Sequence, residues 1–193
     1  MVVVAAASAT AVLAGPLEFS VLGGFRMGGE LEDSSTAEYR SVEVSPSFGL
    51  AVGFPLDPDR ILEVVWTHQE GQVDGASAEG GPVTFDLDII SIGGTADWRR
   101  GKWRPFLSGT AGLTILSPEQ HGFDPAALFT MTLGGGAKLP VSSKVSIRFE
   151  GRGVFMLATS STSGVCGGGR CVLNFSGAGV VQLELLTGVS WSL

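Results

Sequence analysis

The chain has 193 residues, a length for one domain, with 44% hydrophobic residues, 29 glycines and a net charge of −7. With only 12 Lys and Arg it is excluded as a nucleic-acid binder, because phosphate contacts need a basic face. No apolar run reaches the ~20 residues of a helical membrane span without interruption by glycine, and glycine at this level also weakens helix interiors. A rich soluble core or a closed barrel remains.

Met1 to Gly15 reads MVVVAAASATAVLAG. It resembles the apolar part of a secretory signal with small residues before a cut after Ala14, though the usual leading Lys or Arg is missing. Residues 1–14 are therefore expected to be the remnant of a signal peptide, and 15–193 the folded domain. From there the pattern has period two, the mark of strands with two different faces. Leu17 to Met27 alternates Leu17, Phe19, Val21 and Phe25 against Glu18, Ser20 and Arg26. Ser41 to Phe54 sets Val42, Val44, Phe48, Leu50, Val52 and Phe54 against Glu43, Ser45, Ser47, Gly49, Ala51 and Gly53. Arg60 to Gln72 offers Leu62, Val64 and Trp66 against Glu63 and Thr67. Phe85 to Trp98 is apolar with an irregular period, read as a bulge near Asp88 and Ile89. Trp103 to Ile115 opposes Trp103, Leu107, Ala111, Leu113 and Ile115 to Arg104, Ser108, Thr110 and Thr114. Phe129 to Leu139 and Val145 to Phe155 alternate likewise, with Lys138, Arg148, Glu150 and Arg152 on their polar faces. Val180 to Leu193 sets Val181, Leu183, Leu185, Val189 and Trp191 against Gln182, Glu184, Ser190 and Ser192. The expected fold is all-β: eight antiparallel strands, up and down.

The connections alternate in length. Pro55 to Asp59, Arg99 to Lys102 and Pro140 to Ser143 read as tight turns rich in Pro, Asp, Gly and Ser. Gly28 to Arg40, Val73 to Thr84, Ser117 to Leu128 and Ala158 to Ser176 read as longer polar loops. A soluble barrel puts apolar residues inside, and a membrane barrel inverts this. Periodicity does not say which face is out, but composition favours inversion. The polar faces carry glycine and isolated charges of both signs: Glu18, Arg26, Glu43, Glu63, Arg104, Lys138, Arg148, Glu150, Arg152 and Glu184. Five acids and five bases suit an interior closed by ion pairs, since buried charge is costly unless paired. Running the strands up and down places Trp98, Trp103 and Trp191, with Phe54, at the short-turn rim. Amphipathic aromatics prefer that membrane interface.

Segment count, loop alternation and the last strand together resemble the small outer-membrane β-barrels of the OmpA membrane-domain and OmpX type, over residues 17 to 193. Val180 to Leu193 is similar to that family's C-terminal assembly signal, although the chain ends in Leu193 with the aromatic at Trp191. The resemblance implies an eight-stranded transmembrane β-barrel in the Gram-negative cell outer membrane, with porin-like architecture. It also implies lipid and lipopolysaccharide around the barrel, and barrel-assembly machinery as a partner during biogenesis. An unidentified surface ligand is compatible with it.

Chemistry is sparse. Lipid A deacylase barrels carry His and Ser two residues apart on one strand, whereas His68 is followed by Gln69 and Glu70. His121, near Glu119 and Asp124, reads as an exposed loop histidine and His68 as a rim residue near the outer leaflet. GGGAK at Gly134 to Lys138 lacks phosphate-loop spacing and reads as relief of crowding inside a narrow barrel. No catalytic residue, cofactor or metal is expected. Cys166 and Cys171, in CGGGRC, are expected to form a disulfide in an exported chain. The function expected is a structural or surface-interaction barrel, against a narrow channel for ions or small solutes, or a lipid A-modifying enzyme.

Overall fold

The computed structural model describes residues 15–32, 39–41, 44–73, 83–98, 101–118, 125–157, 164–167, 170–174 and 180–193. The strands are β1 (Glu18–Met27), β2 (Glu30–Glu32), β3 (Tyr39–Ser41), β4 (Ser45–Asp57), β5 (Arg60–Val73), β6 (Val83–Asp97), β7 (Arg104–Pro118), β8 (Ala126–Pro140), β9 (Val145–Leu157), β10 (Gly164–Gly167), β11 (Arg170–Asn174) and β12 (Val180–Ser192). Eight of them close a barrel in the order β1-β12-β9-β8-β7-β6-β5-β4, and β4 pairs back onto β1. Every neighbouring pair is antiparallel, so the expected up-and-down barrel is the observed one. The segment 1–14, expected to be a signal remnant, lies outside the described residues.

The tight turns form where the sequence supplies the right acceptors. Asp57 Oδ1 accepts the Asp59 amide at 3.0 Å, the local bond that lets Asp nucleate a reversal. Ser142 Oγ does the same for the amides of Lys144 and Val145. Gly101 sits at φ +67° between β6 and β7, where a side chain would be strained. The triple glycine of β8 answers the expected crowding. A Cβ on Gly136 would meet the Phe149 carbonyl and the Phe106 ring, and one on Gly134 would meet Arg152.

Three expectations are corrected. The register of β6 runs without a break, Asp88 against Ile115 and Ile89 against Thr114. The irregularity lies instead between Pro55 and Asp57, where β4 turns into β5. Phe85 to Trp98 looks irregular along the chain because one end of its interior face is apolar. Phe85, Leu87 and Ile89 are buried inside the barrel, although by residue type they resemble the exterior set. The strand expected to begin at Ser41 begins at Ser45, and Ser41 belongs to β3. Two stretches read as loops also contain strands: β2 and β3 in the first, β10 and β11 in the last. They form a four-stranded sheet, β10-β11-β2-β3, beyond the barrel. β1 and β9 both flank β12, so the chains leaving them rise side by side and can pair, as Asn174 does with Glu32.

The direction of the faces settles the class. Phe25, Leu107, Leu133, Leu183 and Leu185 point outward and are 57 to 60% exposed. Arg26 and Glu184, pointing inward, are fully buried at 0%. This is the inside-out pattern of a transmembrane barrel, in which the backbone donors and acceptors of the span are satisfied between strands rather than facing lipid unpaired.

Candidate functional site: the charged barrel interior

Two layers of charge occupy the interior. The layer nearer the long connections follows directly from register. Arg26 on β1 lies opposite Glu184 on β12, which in turn lies opposite Arg152 on β9. Arg26 Nη2 donates to Glu184 Oε1 at 2.8 Å and Arg152 Nε donates to Oε2 at 2.6 Å. One carboxylate thus holds two guanidiniums. Arg26 Nε also donates to Glu184 Oε1 at 3.2 Å, while Nη1 reaches Gln69 Oε1 and Nη2 reaches Thr67 Oγ1 on β5, both at 3.0 Å.

The layer nearer the short turns is built across the lumen. Arg148 on β9 donates through Nη1 and Nη2 to the two oxygens of Glu63 on β5, at 2.7 and 3.0 Å. β5 is the fourth strand from β9 in either direction round the barrel, so this bidentate pair spans its full width. Arg148 also binds Glu150 Oε2 at 2.9 Å, whose other oxygen accepts from Ser108 Oγ. Lys138 on β8 reaches Glu18 on β1 at 2.7 Å, with Asp97 at 3.8 Å. The Phe106 ring lies against both cations, its centroid 4.8 Å from the Arg148 guanidinium and 5.7 Å from Lys138 Nζ. Charge-assisted and bidentate bonds of this kind are the strong ones, and the aromatic face adds a further attraction to the cations.

Most expected interior charges therefore meet, with two exceptions. Arg104 is exposed at the rim and makes no ion pair among the described residues, because it is the first residue of β7 and its strand continues inward only with Phe106. Glu43 lies outside the described residues. Thr67, on the polar face that the period assigns, joins the network, and so do Asp97, Gln69 and Phe106, which periodicity does not single out. Among the described residues the ion-paired set is five carboxylates against four cations rather than the balanced set expected.

The interior also has a part that the expectations lack. At the long-connection end of β6, β7, β8, β9 and β12 the inward positions are apolar: Phe85, Leu87, Leu116, Leu128, Met156 and Val180, each at most 6% exposed. Period two marks these residues as belonging to strands but not to the inside, since apolar residues occupy both faces there.

At the opposite rim Trp98 and Trp103 are exposed, and Trp191 stacks on Phe19 with ring centroids 6.3 Å apart. Phe54 lies near the same end, at the foot of β4. The aromatic set expected there is brought to one level by the up-and-down topology, with Phe19 added. His121 lies outside the described residues. Cys166 and Cys171 are register partners in the β10–β11 hairpin, and their side chains lie outside the described set.

No protein-family model and no curated protein matches the chain. Solved structures do. Neisserial surface protein A is 16% identical, with a TM-score of 0.62 over 91% of this chain and 97% of that one. The outer membrane protein AlkL, in lipid bilayers, is 11% identical, with a TM-score of 0.60 over 97% and 94%. OprG of Pseudomonas aeruginosa is 10% identical, with a TM-score of 0.51 over 94% and 99%. The likeness is one of fold: this chain has the fold of the small outer-membrane β-barrels, over nearly its whole length.

Proposed function

We propose that this chain is an integral outer-membrane protein whose barrel is a sealed scaffold, with a structural or surface-interaction role carried by the long connections and their extra sheet. The observation that carries this reading is the Glu63–Arg148 pair, which crosses the interior from wall to wall. Eight strands leave an interior that side chains can fill. Here one end is filled by ion pairs and the other by apolar side chains, and an apolar constriction resists ion passage by dewetting. The scaffold reading needs no catalytic group.

The purified protein in planar bilayers is expected to show no discrete conductance steps in 1 M KCl. Regular single-channel openings would replace the scaffold reading with that of a narrow channel.

The hairpin of the last long connection is proposed to be closed on itself by a disulfide between Cys166 and Cys171. Their backbone positions are paired across a short hairpin, the proximity a disulfide requires. The closed loop is short, so its effect on global stability is small compared with that of a long loop. Alkylation without reductant is expected to label neither cysteine, and the double Cys→Ser variant is expected to keep heat-modifiable migration. Two labelled cysteines in freshly prepared membranes would remove the disulfide from the proposal.

A further inference from the structure

We propose that the outer face of β5 and β6, at the long-connection end, holds a divalent transition cation of the Zn²⁺ class on His68, Glu70 and Asp86, with Asp88 positioning the histidine. His68 and Glu70 are two apart on β5 and so share its outward face. The antiparallel register sets His68 against Asp88 and Glu70 against Asp86. Four side chains of metal-ligand type thus form a two-by-two block on the exterior of the barrel. One ligand atom from each of His68, Glu70 and Asp86 lies within 4.8 Å of the other two. Ligands about 2.0–2.2 Å from a shared zinc ion stand roughly 3.5 Å from one another, so small rotamer adjustments on neighbouring strands close the set.

The histidine ring is held by its neighbours. His68 Nδ1 lies 3.1 Å from Asp88 Oδ1, and the same oxygen accepts Trp66 Nε1–H at 3.1 Å. A carboxylate only accepts, so Nδ1 carries the proton and the lone pair sits on Nε2. This carboxylate–imidazole arrangement is the one that orients and strengthens metal-bound histidines. The rings of Phe48 and Trp66 pack on the imidazole, with centroids 5.3 and 6.2 Å away, and hold its plane. Among the described residues no Lys or Arg pairs with Glu70, Asp86 or Asp88. Three carboxylates placed together without a cation repel one another, and a bound dication removes that repulsion. One imidazole nitrogen and two carboxylates suit zinc-like ions better than calcium, which takes six to eight oxygens. Three protein ligands leave coordination positions open to water or to an anionic group.

The test is Zn²⁺ titration by calorimetry on the full chain, untagged, folded in detergent and carrying Cys166→Ser and Cys171→Ser so that thiols do not compete. One ion is expected per chain. Asp88→Asn is expected to weaken binding by about 10–100-fold, the usual cost of losing the partner that orients a histidine ligand. His68→Gln and the Glu70→Gln/Asp86→Asn pair are expected to weaken it at least as much, and His121→Gln to leave it unchanged. Heat-modifiable migration is scored for each variant, and affinities are compared among those that fold. Absence of saturable binding by the parent, binding unchanged across the folded variants, or Ca²⁺ binding as tightly as Zn²⁺ would each overturn the site.

Discussion

Replacing Glu184 by Ala is expected to destabilise the folded barrel by about 3–5 kcal/mol, the cost of breaking a buried pair and leaving charge uncompensated. The magnitude follows from the geometry. Glu184 is fully buried and is the shared partner of Arg26 and Arg152. Its loss strands two guanidiniums, which cannot reach bulk water and cannot shed their protons. Arg26 keeps Gln69 and Thr67, which are neutral acceptors and offset only part of the loss. Replacing all three charges by apolar residues of similar volume, Glu184→Leu with Arg26→Met and Arg152→Met, is expected to recover most of the stability, because it removes the desolvation cost along with the attraction. Reversible urea unfolding in lipid bilayers measures both. A Glu184→Ala loss under about 1 kcal/mol would mean that water reaches this layer freely, and the sealed interior would fall with it.

Leu185→Arg is expected to cost about 2–4 kcal/mol, whereas Val145→Arg is expected to cost no more than about 1 kcal/mol. The two positions differ in depth on the same outer surface. Leu185 lies mid-strand on β12, 57% exposed, opposite Phe25 on one side and Gly151 on the other. Val145 begins β9 beside Trp191, at the aromatic rim where an arginine reaches headgroups and water. The next residue on β12, Leu186, is 4% exposed, so shifting the assigned register by one would put position 185 inside. The same unfolding assay decides: equal costs at 185 and 145 would contradict a lipid-facing mid-membrane Leu185.

The candidate site is legible in the sequence where it depends on alternation. Arg26, Glu63, Lys138, Arg148, Glu150, Arg152 and Glu184 all stand on strands with a period of two, and all turn inward. Arg104 breaks the pattern because a strand end places its side chain at the rim whatever its parity. Gln69 and Asp97 escape a reading of the chain for different reasons. Gln69 follows the rim histidine and looks like surface, and Asp97 ends the strand whose period is obscured by Leu87 and Ile89. The set of His68, Glu70, Asp86 and Asp88 leaves almost no trace in the spacing, since half of it is on one strand and half on the next across a long connection.

The amino-acid order by itself determined the number of barrel strands, their antiparallel succession, the alternation of short and long connections and the parity of most side chains. Those are local properties, set by a two-residue repeat and by turn chemistry, and they are written along the chain. Tertiary structure decided what depends on closure. Only when β4 pairs with β1 do Arg148 and Glu63 face each other from opposite walls. The apolar run at one end of β6 likewise turns from an apparent irregularity into a buried layer only once neighbouring strands supply its partners. Pairings across a lumen join residues far apart in sequence, and their distances are set by barrel width and stagger, which no local pattern encodes.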